Sequence, residues 1–218
     1  MFGYLRRTPS AGLLLVQLVG ILLYPWMESS PRGSTVLGAF GVLVLGVALR
    51  IVRRSPWLTW LGVVLALVVV ALFGVNAIAP HPTLRVAIAV VASAFYFYAT
   101  GSLIAYMLQD WVATTDELFA AGATFTLLAW AFAYAYIACQ ALLPGSFSAP
   151  VNPDAPRTWM ELLFLSIAVL SSVGLSDILP VTPMARALVA LESITGVMYV
   201  ALVVSRLISL ASMRRDRP

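Results

Sequence analysis

Seven consecutive residues, Ser171-Ser172-Val173-Gly174-Leu175-Ser176-Asp177, place oxygen donors around a glycine between two apolar segments. A polar cluster flanked so tightly by membrane-grade sequence is not an ordinary loop. Backbone without helical hydrogen bonds persists at membrane depth only when it is buried in protein or lines a wet cavity. Carbonyl oxygens of such backbone, arranged in a ring, can replace the hydration shell of a cation. Ser171 and Ser172 add hydroxyl oxygens, and Asp177 adds negative charge at the far end. A helix that stops where the stretch begins would aim its negative dipole end at a bound cation.

The rest of the chain must hold that stretch in a membrane. Of its 218 residues 61% are hydrophobic and 10% charged, where a soluble domain carries about a quarter charged. This makes a polytopic membrane protein. The net charge of +4 does not indicate nucleic acid, because the arginines sit at the ends of apolar runs, as topology signals do. All thirteen basic side chains are arginine.

In chain order, apolar runs cover about Ser10 to Trp26, Ser34 to Leu49, Trp57 to Val75, Leu84 to Leu108, Leu118 to Leu143 and Pro183 to Ala211. Pro25-Trp26 closes the first run, and no small-x-small cleavage signal follows, so a retained span is expected. Thr114-Thr115-Asp116-Glu117 reads as an N-cap for the fifth. A proline-rich link then leads to Thr158–Leu170, which is apolar but too short to span. The fold expected is all-α: six transmembrane helices, with a re-entrant helix and loop between the fifth and sixth. Placing both termini inside puts Arg6, Arg7, Arg50, Arg53, Arg54, Arg214, Arg215 and Arg217 on the cytoplasmic side, which satisfies the positive-inside rule. The chain divides into an accessory part, 1–113, and a part carrying the polar stretch, 114–218. No internal repeat of that stretch exists, so closing a ring around it takes several chains and cyclic symmetry.

Ser171 to Asp177 resembles the selectivity filter of the tetrameric potassium channel superfamily, whose usual pattern is Thr-Thr-Val-Gly-Tyr-Gly-Asp. The resemblance continues without a gap. Pro180-Val181-Thr182-Pro183 is similar to the outer-mouth sequence, Arg186 falls where the family often has arginine, and Gly196, 22 residues after Gly174, falls at the gating hinge. Ala190-Leu191-Glu192 and Val203-Val204-Ser205-Arg206-Leu207 resemble the inner helix of small bacterial members. The likeness covers about Leu118 to Met213. It implies a homotetramer in a bacterial inner membrane that conducts monovalent cations, K+ above all. The carbonyl oxygens would come from Ser172, Val173, Gly174, Leu175 and Ser176, with Asp177 at the outer mouth. K+ would be the permeant ion, lipid the surroundings, and no organic cofactor is implied.

Two positions depart from the pattern. Leu175 replaces the tyrosine that braces the filter, and the matching helix positions, Phe164 and Leu165, suggest apolar packing instead. Ser176 replaces the second glycine; a left-handed backbone there would cost about 1–2 kcal/mol in each subunit. Strict K+ selectivity, nonselective cation passage and a nonconducting scaffold or auxiliary subunit therefore all stay open.

Other residues have plainer readings. Gly196 serves as hinge or as a point of close helix packing. Glu192, an acid inside the last span, is expected to bond behind the re-entrant helix. Arg206 is expected to snorkel. Arg157 and Glu161, one turn apart, would form an exposed pair. The fourth span has only Arg85, so no arginine ladder for voltage sensing is present. His81 and Cys139 are single, and no His/Cys/carboxylate cluster or glycine-rich phosphate loop suggests an enzyme.

Overall fold

The computed structural model describes residues 9–28, 41, 44, 46–48, 59–108 and 115–215. The helices are α1 (Pro9–Glu28), α2 (Thr59–Ile78), α3 (Pro82–Met107), α4 (Thr115–Leu142), α5 (Trp159–Leu170) and α6 (Pro183–Arg215). Two short strands, β1 (Phe147–Ser148) and β2 (Leu179–Pro180), pair antiparallel with Phe147 opposite Pro180 and Ser148 opposite Leu179.

Among the described residues four helices are long and apolar enough to cross a membrane: Thr59–Ile78, Pro82–Met107, Asp116–Leu142 and Pro183–Arg206. The apolar part of α1, Ser10–Tyr24, and α5 are shorter. The second expected span lies outside the described residues, except for helical positions 41, 44 and 46–48. Arg50, Arg53 and Arg54 and both tails also lie outside them. Pro25 does not close the first helix, which runs on to Glu28. Only the backbone bond from residue 25 to Ile21 is lost, a tolerable loss one turn from the end.

Helix α4 is the hub. Its apolar window is 67% buried, against 17% for α2 and for α6, which places those two at the edge of the chain. It packs on α1, α3, α5 and α6. Small side chains allow this: Ala120, Ala123, Ala129, Ala131 and Ala133 have no exposed surface. Against α3, Ser93 Oγ donates to the Ala131 carbonyl at 2.9 Å. Beside it Tyr96 stacks on Tyr134 and meets Trp130 edge-on, both at 5.6 Å. Against α1, the side chain of Leu14 fills the space over Gly122, and Gln17 Nε2 reaches the Ala123 carbonyl at 3.4 Å. One apolar cluster runs through residues on both sides of position 113.

The first turn of α4 holds a polar knot. Asp116 accepts from the backbone N–H and the hydroxyl of Ser10, each at 3.0 Å, and from the Tyr106 hydroxyl at 3.3 Å. Next to it Glu117 Oε2 pairs with Arg206 at 3.1 Å. Arg206 therefore does not snorkel to solvent as its position near a helix end suggested. A carboxylate on α4 lies within reach, and an ion pair satisfies the guanidinium better than a stretched stem.

Candidate functional site

The polar stretch depends on how α5 is set. Thr158-x-x-Glu161 forms a capping box: Thr158 Oγ1 accepts from Glu161 N at 3.3 Å, and Glu161 Oε2 accepts from Thr158 N at 2.6 Å. Just before it, Gln140 of α4 clamps the Arg157 backbone. Arg157 N donates to Gln140 Oε1 at 3.0 Å, and Gln140 Nε2 donates to the Arg157 carbonyl at 2.8 Å. Trp159 then meets Trp130 edge-on and lies against Tyr24, both at 5.2 Å. The start of α5 is thus fixed to α4 and α1.

The Arg157–Glu161 pair forms at 3.4 Å, but it is not an exposed pair. The Arg157 side chain is only 3% exposed, and its guanidinium also donates to the carbonyls of Val151, Asn152 and Ala155. It acts as the core of the loop around it. A guanidinium has five donors in a fixed fork, and a loop of carbonyls without helical partners can use them.

At the other end of α5 the chain folds back on the helix. Ser171 N donates to Ile167 O at 3.0 Å and Ser172 N to Val169 O at 3.0 Å. Val173 N and Gly174 N both donate to Ala168 O, at 3.1 and 2.9 Å. Four consecutive N–H groups are therefore spent on α5. The carbonyls of Ser172 and Val173 have no backbone partner among the described residues. Backbone angles alternate here: φ is +59° at Ser172 and +67° at Gly174. Side chains in the stretch stand off the chain, with Val173 68% and Leu175 73% exposed.

Ser176 does not adopt the left-handed backbone whose cost counted against a serine there. Among the described residues only Asn152 and Ser172 combine a side chain with positive φ, so the left-handed cost falls on Ser172. Ser176 instead closes a local turn, its N–H donating to Gly174 O at 3.0 Å and its Oγ accepting from Ile178 N at 3.1 Å. Serine hydroxyls favour such turns. Nor does Leu175 find an apolar brace within its own chain. Phe164 is 46% exposed, and Leu165 is buried in the core.

Downstream, Val181 N donates to Ser146 O at 2.9 Å, and Thr182 Oγ1 donates to Ser146 Oγ at 3.1 Å. The same threonine oxygen accepts from Ala185 N at 3.3 Å and so caps α6. Arg186 Nε holds the Pro180 carbonyl at 3.2 Å. The loop after α4 and the exit of the polar stretch are in this way one unit. Asp177 is exposed.

Helix α6 meets the chain along one narrow stripe, Ala185, Glu192, Gly196 and Tyr199. A Cβ on Gly196 would lie 2.8 Å from Leu170 Cα at the end of α5, and Leu170 is backbone that cannot give way. The packing role of Gly196 thus has a specific neighbour. Glu192 has no exposed surface. Tyr136 donates its hydroxyl to Glu192 Oε2, and Ser166 Oγ contacts Glu192 Oε1. Ser166 Oγ also lies 3.0 Å from the Ala129 carbonyl. The expected bonding of Glu192 behind the short helix is what the chain forms.

Sequence reasoning missed the capping box, the Gln140 clamp and the Ser146–Thr182 link. The capping box had a local signal, Thr158 three residues before Glu161. The other two join residues far apart in sequence. His81 caps α3, its ring accepting from Thr83 N at 3.4 Å. Among the described residues no group of three or more His, Cys, Asp or Glu could hold a metal ion.

A family model described as "Ion channel" matches residues 122–212, from the second turn of α4 through the polar stretch and most of α6. Comparison with curated proteins and with solved structures finds no match.

Proposed function

We propose, on the premise that residues 122–212 belong to the ion channel family in its two-span potassium-channel-like form, that this chain is the pore-forming subunit of a homotetrameric cation channel that passes K+. Residues 114–218 make the pore domain, with α4 as outer helix, α5 as re-entrant pore helix and α6 as inner helix. Residues 1–113 are an accessory membrane part. The whole has six spans in a bacterial inner membrane, with both termini cytoplasmic, in keeping with the arginine distribution.

One observation carries the reading. Four successive N–H groups, from Ser171 to Gly174, are turned onto α5, which leaves carbonyl oxygens at the helix's negative end free for a cation. Val173 and Leu175 stand exposed on one chain, and most of α6 is uncovered, which supports a ring of chains that closes over both. In the ring Leu175 packs on a neighbour's short helix, and the brace is apolar. The ions bind between Ser172 and Leu175, Asp177 draws cations to the mouth, and Gly196 lets α6 bend.

A nonselective cation pore is the second reading, favoured by Ser176. Its turn ends the backbone alternation one step early, which shortens the row of carbonyls. Flux of a K+ analogue into vesicles holding the purified protein tests the proposal. Uptake should occur and should be lost in Gly174→Asp, which puts a side chain at φ +67° and a charge in the row. Equal uptake in empty vesicles and in vesicles with protein would leave a nonconducting scaffold as the function.

A further inference from the structure

Helix α1 belongs to the accessory part by its place in the sequence, yet it lies along α4 in a fixed register. Its buried positions, Ser10, Leu13, Gln17, Gly20 and Tyr24, alternate steps of three and four residues, the spacing of a helix seam. Ser10 donates to Asp116 and Gln17 to the Ala123 carbonyl, each 106 positions further on. Parallel helices that rise equally per residue keep that offset, so Tyr24 comes level with Trp130. Polar side chains at seam positions fix such a register, because a slip would leave them without partners in an apolar contact. The register matters because of what Tyr24 meets. Its ring lies 5.2 Å from that of Trp159, the first residue of α5, at 30°. Trp159 also meets Trp130 edge-on at 5.2 Å and Tyr134 at 6.1 Å, and Tyr96 of α3 lies 5.6 Å from each of those two α4 rings. The Trp159 indole N–H is buried and has no hydrogen-bond partner. Its neighbours therefore seat this side chain by packing, and tilted or edge-on rings attract beyond the area they bury.

We infer that α1 is a strut of the pore part, and that Tyr24 is a positioning residue for the backbone of Ser171–Gly174. Helix α5 is a single rod of twelve residues with Trp159 at its start. Its far end carries the Ile167, Ala168 and Val169 carbonyls that hold the four N–H groups from Ser171 to Gly174. Leu170, at the same end, abuts Gly196 of α6. With that end seated on α6, a shift of Trp159 tilts the rod and turns the carbonyls on which the polar stretch hangs. The consequence for conduction rests on the channel reading; the seating of Trp159 by Tyr24 does not.

The test is hydrogen exchange at the Ser171–Gly174 amides of the full chain in vesicles, paired with K+ uptake per folded chain, on wild type, Tyr24→Leu, Tyr24→Phe and Val69→Ala. Leucine keeps apolar bulk without a ring, and phenylalanine keeps the ring. Val69 is also buried, but on α2, which packs on α3, so its truncation loosens the accessory part away from Trp159. Tyr24→Leu should speed exchange at these amides by about two- to tenfold, the equilibrium factor that one ring pair is worth, and should lower K+ uptake. Tyr24→Phe and Val69→Ala should match wild type in both. Unchanged exchange in Tyr24→Leu overturns the inference, and so does faster exchange with wild-type uptake. Equal acceleration in Val69→Ala would make Tyr24 one packing residue among many, and equal acceleration in Tyr24→Phe would assign the effect to the hydroxyl; either overturns it. Should wild type itself pass no K+, the channel reading has failed, and exchange alone decides whether Tyr24 places the stretch.

Discussion

Ser172 and Gly174 share a left-handed backbone, but only one of them has a side chain to strain. Gly174→Ala should therefore cost about 1–2 kcal/mol in each chain, and uptake by vesicles should drop while the amount of folded protein in detergent stays near wild type. Ser172 already bears that cost. Its hydroxyl is an oxygen ligand that Ser172→Ala removes with little change in backbone strain, so alanine should lower flux. The oxygen-bearing residues could be read from the sequence because they are contiguous, and hydroxyl, glycine and carboxylate come in a fixed order. The conformation of Ser176 could not. A departure from the glycine pattern was expected there, but not its form: the serine hydroxyl bonds two residues ahead, to Ile178 N.

Two elements decide where the stretch sits, and each has a residue that tests its hold. At the C-terminal end of α5, Gly196→Ala would drive a methyl group into Leu170. The expected loss is about 1–3 kcal/mol, seen as a lower melting temperature in detergent. A pure hinge role would change gating and leave melting alone. At the N-terminal end, Arg157 fills the loop before α5 with charge-assisted bonds to carbonyls. Arg157→Lys should not restore what Arg157→Ala loses, because an ammonium lacks the planar fork. Protease cleavage between residues 150 and 157 would report the loosened loop in both variants. Among the described residues helix positions followed from apolar run lengths to within a few residues, as with Trp159–Leu170 against the expected Thr158–Leu170. The burial of Arg157 did not, because the carbonyls that surround it come from irregular backbone, which has no periodicity to read.

Across the described residues, α4 packs on α1, α3, α5 and α6, and its first turn is tied to α6 through Arg206. Glu117 and Arg206 are 8% and 15% exposed and so are partly shielded from solvent. A double-mutant cycle with Glu117→Gln and Arg206→Gln should give a coupling of about 0.5–3 kcal/mol in thermal unfolding; additive losses would mean the pair contributes nothing of its own. This pairing was hidden in the sequence, where 89 positions separate the two residues. The membrane character and the short helix before the polar stretch were visible, since composition and run length carry them. The most direct test of the central claim is the reversal potential of the purified chain in a planar bilayer with K+ on one side and Na+ on the other. The account predicts a current that reverses close to the K+ equilibrium value and is absent in Gly174→Asp. A current that reverses near zero would contradict selective passage of K+ and leave the nonselective pore, and a current unchanged in Gly174→Asp would contradict the assignment of the pore to this stretch.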